Sequence, residues 1–156
     1  MIKMLVVDID GTILGKTLKL TEKLKECFKI LKQQGVKVVL ATGRMYYAAI
    51  HLAQELELET PIISYQGGYI KNFAFDDKVL YEKLIPSKDI FNIIDIVKQE
   101  KIHLNIYAED MLFVEQDNDI IKNYCVDRKI PYKVVENFQN LEFSSSLINT
   151  VFTEFV

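Results

Sequence analysis

The run Met4-Leu5-Val6-Val7, cut off by Asp8-Ile9-Asp10-Gly11-Thr12, constrains this chain more than any other stretch. A short β-rich run bounded by turn residues reads as a strand buried on both faces in the middle of a parallel sheet. Such a strand delivers whatever follows it to its carboxyl end. Open α/β sheets bind ligands in the crevice outside those ends, so Asp8 and Asp10 become candidates for chemistry. The glycine after them lets the backbone turn and bring both carboxylates towards one pocket.

The rest of the first half fits around that strand. Thr21 with Glu22 predicts a helix start, and Leu24, Phe28 and Leu31 supply one buried face before Gly35 ends it. Val36 to Leu40 is a second short β-rich run. It leads into Ala41-Thr42-Gly43-Arg44 and then a helical pattern through Ile50, Leu52, Ala53 and Leu56, closed by Pro61. Ile62 to Tyr65 reads as a third strand. The order β-α-β-α-β predicts a parallel sheet whose strand ends share one edge.

After Gln66-Gly67-Gly68 the pattern changes to α+β. Tyr69 to Phe73 and Val79 to Leu84 predict a hairpin turning at Asp76-Asp77, and Pro86-Ser87 opens a helix with an Ile90, Ile93, Ile94 and Val97 stripe. Strands are expected at His103 to Ala108 and Met111 to Glu115 around a Glu109-Asp110 turn. A helix from Asp119 to Arg128 follows, with strand-like pieces at Tyr132 to Val135 and Ile148 to Phe155. The expected division is 1–84, with the hairpin at 69–84 as linker, and 85–156.

Composition narrows the function. The 22 acidic and 19 basic residues are spread along the chain with a net charge of -3, so no basic cluster exists to neutralise a nucleic-acid backbone. No apolar stretch approaches the length of a membrane span, and the chain enters its first strand directly, so a cytoplasmic protein is expected. The two cysteines, Cys27 and Cys125, sit among helical apolar neighbours and read as core thiols. His51 and His103 lack partners at metal-ligand spacing. Phe73, Phe75, Tyr81, Phe91 and Tyr107 read as packing in the second half, not as a base-stacking platform.

The acid pair makes a hard-oxygen site of the kind Mg²⁺ prefers, and Mg²⁺ often meets its substrate through phosphate. Thr42-Gly43-Arg44 matches that chemistry. A hydroxyl and free backbone N–H groups at a helix N-terminus attract an anion, and Arg44 adds a fork of donors. Asp-Gly and Thr-Gly also serve as plain turn and cap residues. An acid pair and an anion cradle at the ends of two strands of one βαβ unit exceed what turns require.

These segments, with Pro61-Ile62-Ile63-Ser64-Tyr65-Gln66-Gly67-Gly68, resemble the haloacid dehalogenase superfamily, specifically its Cof-like sugar-phosphatase branch, the capped class IIB type. The resemblance implies a Rossmann-like core, part of a three-layer α/β/α domain with a parallel sheet, and a partial α+β cap beyond about Pro86. It further implies Mg²⁺-dependent hydrolysis of small phosphorylated metabolites. Asp8 would be the nucleophile and a metal ligand. Asp10 would be the general acid and base, with its backbone carbonyl on the metal. Thr42 would hold the phosphoryl group, Gly11 and Thr12 would shape the loop around it, and Gly43 with Arg44 would support phosphate or substrate contact.

Two departures from that branch stand out. Gln66-Gly67 replaces the usual Asn-Gly, and the lysine and Gly-Asp-type metal motif carried beyond the cap in such enzymes do not occur before Val156. A chain so truncated is expected to be an impaired phosphatase, with its first strand left as an exposed edge that pairs two copies into a homodimer. The rivals are an inactive remnant that binds phosphate or a protein partner, and a phospho-accepting receiver domain.

Overall fold

The computed structural model describes residues 2–15, 18–108 and 110–141, and the backbone of 148–152. The chain divides into two compact units, Met1–Glu82 and Lys83–Val156.

In the first unit β1 (Met4–Val7) and β2 (Lys37–Leu40) pair in parallel, with Val7 opposite Leu40. Helix α1 (Glu22–Gln33) joins them. The Thr21 hydroxyl oxygen caps it by accepting the Leu24 N–H at 3.2 Å. Its far end is closed by Gly35 at φ 74°, where the Val36 N–H reaches back to the Leu31 carbonyl at 3.0 Å. That left-handed stop favours glycine because it has no Cβ to crowd the preceding carbonyl.

Helix α2 (Tyr46–Glu55) then leads to β3 (Ile62–Ser64), which meets β2 through a single parallel bridge, Ala41 opposite Ile63. The three strands therefore end at one edge, as the βαβαβ pattern predicts. Beyond a short 3-10 turn, β4 (Tyr69–Lys71) and β5 (Val79–Glu82) add antiparallel strands in the order β3-β4-β5.

β1 is not buried on both faces as its apolar run suggests; it forms the exposed edge expected from the resemblance. Val38, Val39 and Leu40 of β2 are buried, yet Met4 is 54% and Val6 52% exposed. Among the described residues β1 has β2 as its only strand neighbour, so its other edge and one face lack cover.

In the second unit α3 (Ser87–Gln99), β6 (Asn105–Ala108), β7 (Met111–Val114), α4 (Asp119–Arg128), β8 (Tyr132–Val134) and β9 (Ile148–Phe152) form a sheet of order β8-β7-β6-β9 with accompanying helices. The β7–β8 pair is parallel and the others are antiparallel. Ile90, Ile94 and Val97 of α3 pack with Leu104, Ile106 and Phe138 as the core. This is the stripe that the helical spacing predicts. Glu109 of the expected turn, and the part of the expected last strand beyond Phe152, lie outside the described residues.

The expectation of a core thiol holds for Cys125 and is corrected for Cys27, and the expected aromatic packing holds only in part. Cys27 is exposed, because Phe28, one helical step away, takes the buried position. Cys125 is buried, and loss of solvent pushes its thiol up to about 11 against the opposing charge of Arg128. Among the aromatic residues, Tyr107 is buried with its hydroxyl 2.9 Å from that of Tyr124, whereas Phe75, Tyr81 and Phe91 are exposed. No helix among the described residues is long and apolar enough to cross a membrane.

Candidate active site

The loop after β1 is held by its own backbone. The Leu14 N–H donates to the Ile9 carbonyl at 2.9 Å, and the Gly11 N–H donates to the Leu14 carbonyl at 3.0 Å. Gly11 sits at φ 74°, a region open to glycine. Ile9 and Leu14 are buried and plug the underside, while Asp8, Asp10, Gly11 and Thr12 stay exposed. With Ile9 turned inwards and the backbone turning through Gly11, both carboxylates are left exposed to solvent. Among the described residues no lysine, arginine or histidine forms an ion pair with Asp8.

The loop after β2 is tied to the end of β3. The Thr42 N–H donates to the Ile63 carbonyl at 2.9 Å, the Gln66 N–H to the Thr42 carbonyl at 3.2 Å, and the Tyr65 N–H to the Arg44 carbonyl at 3.0 Å. Thr42 is buried, and its hydroxyl oxygen accepts the Arg44 N–H at 3.1 Å. This changes the expected cradle in two respects. The Arg44 N–H is already engaged, and α2 begins only at Tyr46 with Met45 as its cap, so Thr42 to Arg44 form a loop ahead of the helix.

Tyr65, Gln66 and Gly67 all have positive φ, at 50°, 55° and 90°. Two consecutive non-glycine residues in that region store strain of about 1–3 kcal/mol each, which the bonds to Thr42 and Arg44 help to hold. The Gln66 amide lies over Gly43, where a Cβ would collide with it. Sequence reasoning marked Gln66-Gly67 as a departure from the branch but placed no contact between Gln66 and Gly43.

Arg44 and Asp10 make the strongest contact of the site. Arg44 Nε donates to Asp10 Oδ2 and Arg44 Nη2 to Asp10 Oδ1, both at 2.7 Å. The arginine side chain is 8% exposed and the aspartate 42%. A two-point fork onto a carboxylate is among the stronger hydrogen-bonded pairs. The two residues stand 34 positions apart, so no local spacing announces the pair. Arg44 therefore contacts an acid of the site, where sequence reasoning had assigned it to phosphate or substrate.

Asp8 and Asp10 offer the hard oxygen chemistry that suits Mg²⁺, which takes one or two carboxylates and completes its shell with water and phosphate. Among the described residues no group of three or more His, Cys, Asp or Glu side chains gathers. The Asp10 carboxylate faces Arg44, which leaves the exposed Asp8 carboxylate as the hard-oxygen donor that suits a metal. A groove of about 710 Å³ in the same unit, lined by Met4, Phe28, Val36, Val38, Leu56 and Leu58 among others, includes none of the site residues.

Residues 5–154 match the family model described as haloacid dehalogenase-like hydrolase. The chain is 28% identical over 121 residues to 5-amino-6-(5-phospho-D-ribitylamino)uracil phosphatase YitU of Bacillus subtilis, covering 76% of this chain and 44% of that protein. It superimposes on a haloacid dehalogenase-like hydrolase from Bacteroides thetaiotaomicron with a TM-score of 0.80 at 23% identity, covering 94% of this chain and 56% of the other. A structure described as a subclass IIB sugar phosphatase gives a TM-score of 0.69 at 22% identity over 86% of this chain and 53% of its own. The chain spans about half the length of the curated relatives it matches. A match over nearly the whole chain places it in a family: the protein belongs to the haloacid dehalogenase-like hydrolases.

Proposed function

We propose that this chain carries the phosphoryl-transfer half of a Mg²⁺-dependent phosphatase acting on small phosphorylated metabolites, sugar phosphates among them. The observation that carries this reading is the meeting of two strand ends. Asp8 and Asp10 follow β1, Thr42 and Arg44 follow β2, and the Asp10–Arg44 pair joins them. The printed names of two relatives, one acting on a phospho-ribitylamino uracil and one described as a sugar phosphatase, support the substrate class.

In this reading an Asp8 carboxylate oxygen attacks phosphorus in line. The bond to the leaving oxygen breaks as the acyl-phosphate bond forms, and Asp10 donates a proton to the departing alkoxide. Asp10 then takes a proton from water, which attacks phosphorus and releases phosphate and the free Asp8. Thr42 holds a phosphoryl oxygen, while Gly11 and Thr12 shape the loop beside it. Asp8 and the Asp10 carbonyl would hold Mg²⁺, which would supply charge neutralisation at the phosphoryl oxygens.

A second reading is favoured by one observation: among the described residues no third acidic, His or Cys ligand joins the two aspartates. Under it the chain binds phosphate, or a protein partner, without turning substrate over. Hydrolysis of p-nitrophenyl phosphate with Mg²⁺ separates the two. Turnover that disappears in Asp8→Asn is the expected result, and none at high protein concentration favours the binding reading.

The same proposal covers assembly and location. The free edge of β1, with Ile2, Met4 and Val6 exposed, supports pairing of two copies of this chain into a homodimer. The even charge balance supports a small-molecule substrate over nucleic acid, and a cytoplasmic setting belongs to the same proposal.

A further inference from the structure

The turn after β3 has no part in the roles assigned so far, yet it holds the loop that does. Tyr65, Gln66 and Gly67 stand at φ 50°, 55° and 90°, so two residues with side chains share a conformation that favours glycine. We propose that Gln66 is a positioning residue for phosphoryl binding: held left-handed, it aims its main-chain N–H at the Thr42 carbonyl and so sets where the Thr42 hydroxyl stands. The proposal deepens the phosphatase reading and rests on it, because there Thr42 holds a phosphoryl oxygen.

Left-handed backbone at a bulky residue is an outlier, and it persists where the surroundings over-determine it. Here the surroundings are visible. The Tyr65 side chain is buried, its ring stands perpendicular to that of Tyr69 at 6.1 Å between centroids, and its carbonyl accepts the Gly68 N–H at 2.9 Å. That anchor turns two successive N–H groups back onto the loop after β2, Tyr65 onto the Arg44 carbonyl at 3.0 Å and Gln66 onto the Thr42 carbonyl at 3.2 Å. Thr42 is thereby held at both of its main-chain groups, since its own N–H is bonded to the Ile63 carbonyl at 2.9 Å. Its hydroxyl oxygen accepts the Arg44 N–H at 3.1 Å, which leaves the hydroxyl hydrogen for a phosphoryl oxygen. Returning residue 66 to the right-handed region turns the peptide that carries its N–H relative to Gly67, so either the bond to Thr42 or the turn is lost. The Gln66 side chain is exposed, and its flexible amide end over Gly43 can shift without moving the backbone. The role belongs to the left-handed backbone and not to the amide.

Two substitutions separate backbone from side chain. Asn visits the left-handed region readily but carries a shorter side chain, whereas Val, branched at Cβ, resists that region. Binding of inorganic phosphate with Mg²⁺ is followed through the Thr42 amide in ¹H–¹⁵N spectra of the whole chain, with the Val38 and Val39 amides of β2 as the check that the unit is folded. Gln66→Val should weaken phosphate binding about tenfold, the scale of one residue forced left-handed, and Gln66→Asn should restore the wild-type affinity. In the wild-type chain phosphate should also slow hydrogen exchange at the Gln66 amide, because coupling between the turn and the bound ion is reciprocal.

A folded Gln66→Val chain with wild-type phosphate affinity overturns the proposal. So does a loss in Gln66→Asn as large as that in Gln66→Val, which would place the role in the side chain. A Gln66 amide whose exchange ignores a phosphate that shifts Thr42 overturns it without any variant, and leaves the phosphatase reading intact. If Thr42 itself does not respond in the wild-type chain, the phosphate site is refuted and the positioning role falls with it.

Discussion

β1 and β2 have nearly interchangeable sequences, Met4-Leu5-Val6-Val7 against Lys37-Val38-Val39-Leu40, and lie side by side in register. Their surroundings differ sharply. β2 has β1 along one edge and the β3 bridge at its end, and three of its four residues are buried. Among the described residues β1 has one strand neighbour, and it exposes two residues of four. Strand composition records how well a segment fits a pleated, packed surface, but what covers that surface depends on partners far away in the chain. The strand that carries the acids is the less covered of the two, and the strand that carries Thr42 is the anchor.

Stability should follow this asymmetry. Leu40→Ala, at a position 1% exposed, should cost about 3 kcal/mol in urea unfolding, whereas Met4→Ala on β1 should cost less than about 1 kcal/mol. Equal losses would mean that the face of β1 carrying Met4 is packed in solution, which edge-to-edge strand pairing does not by itself do. A charged residue on the edge sharpens the point. By light scattering the wild-type chain should have the mass of a dimer and Val6→Lys that of a monomer, with the unfolding free energy of the protomer changed by less than about 1 kcal/mol. A well-behaved wild-type monomer would refute edge pairing.

Much of the fold was legible because local chemistry determines it. The Thr21 cap, the Gly35 stop, the α3 stripe and the Asp119–Arg128 helix all depend on residues within a few positions of one another. The apolar run of β1 alone suggested burial on both faces, because composition does not state how many neighbours a strand will find; its exposed edge was expected only from the resemblance. Cys27 was misplaced for a related reason: its neighbours are apolar, but a shift of one residue turns a helix by about 100° and moves the side chain off the buried face.

The candidate site divides in the same way. Asp8, Asp10 and Thr42 were marked by strand-end motifs, and the structure puts them at the carboxyl ends of β1 and β2. The Asp10–Arg44 clamp joins two such motifs across 34 residues, and the Gln66 amide over Gly43 depends on three consecutive left-handed residues. Both are contacts between loops that only the sheet brings together.

The account turns on Asp8 as the atom that accepts the phosphoryl group. The direct measurement is mass spectrometry of the whole chain, quenched in acid during incubation with Mg²⁺ and acetyl phosphate, followed by peptide mapping. The account predicts one phosphoryl group on the peptide that contains Asp8, absent in Asp8→Asn and retained in Val6→Lys. A label on any other residue, or an unlabelled Asp8 in protein whose Thr42 amide responds to phosphate, would contradict it.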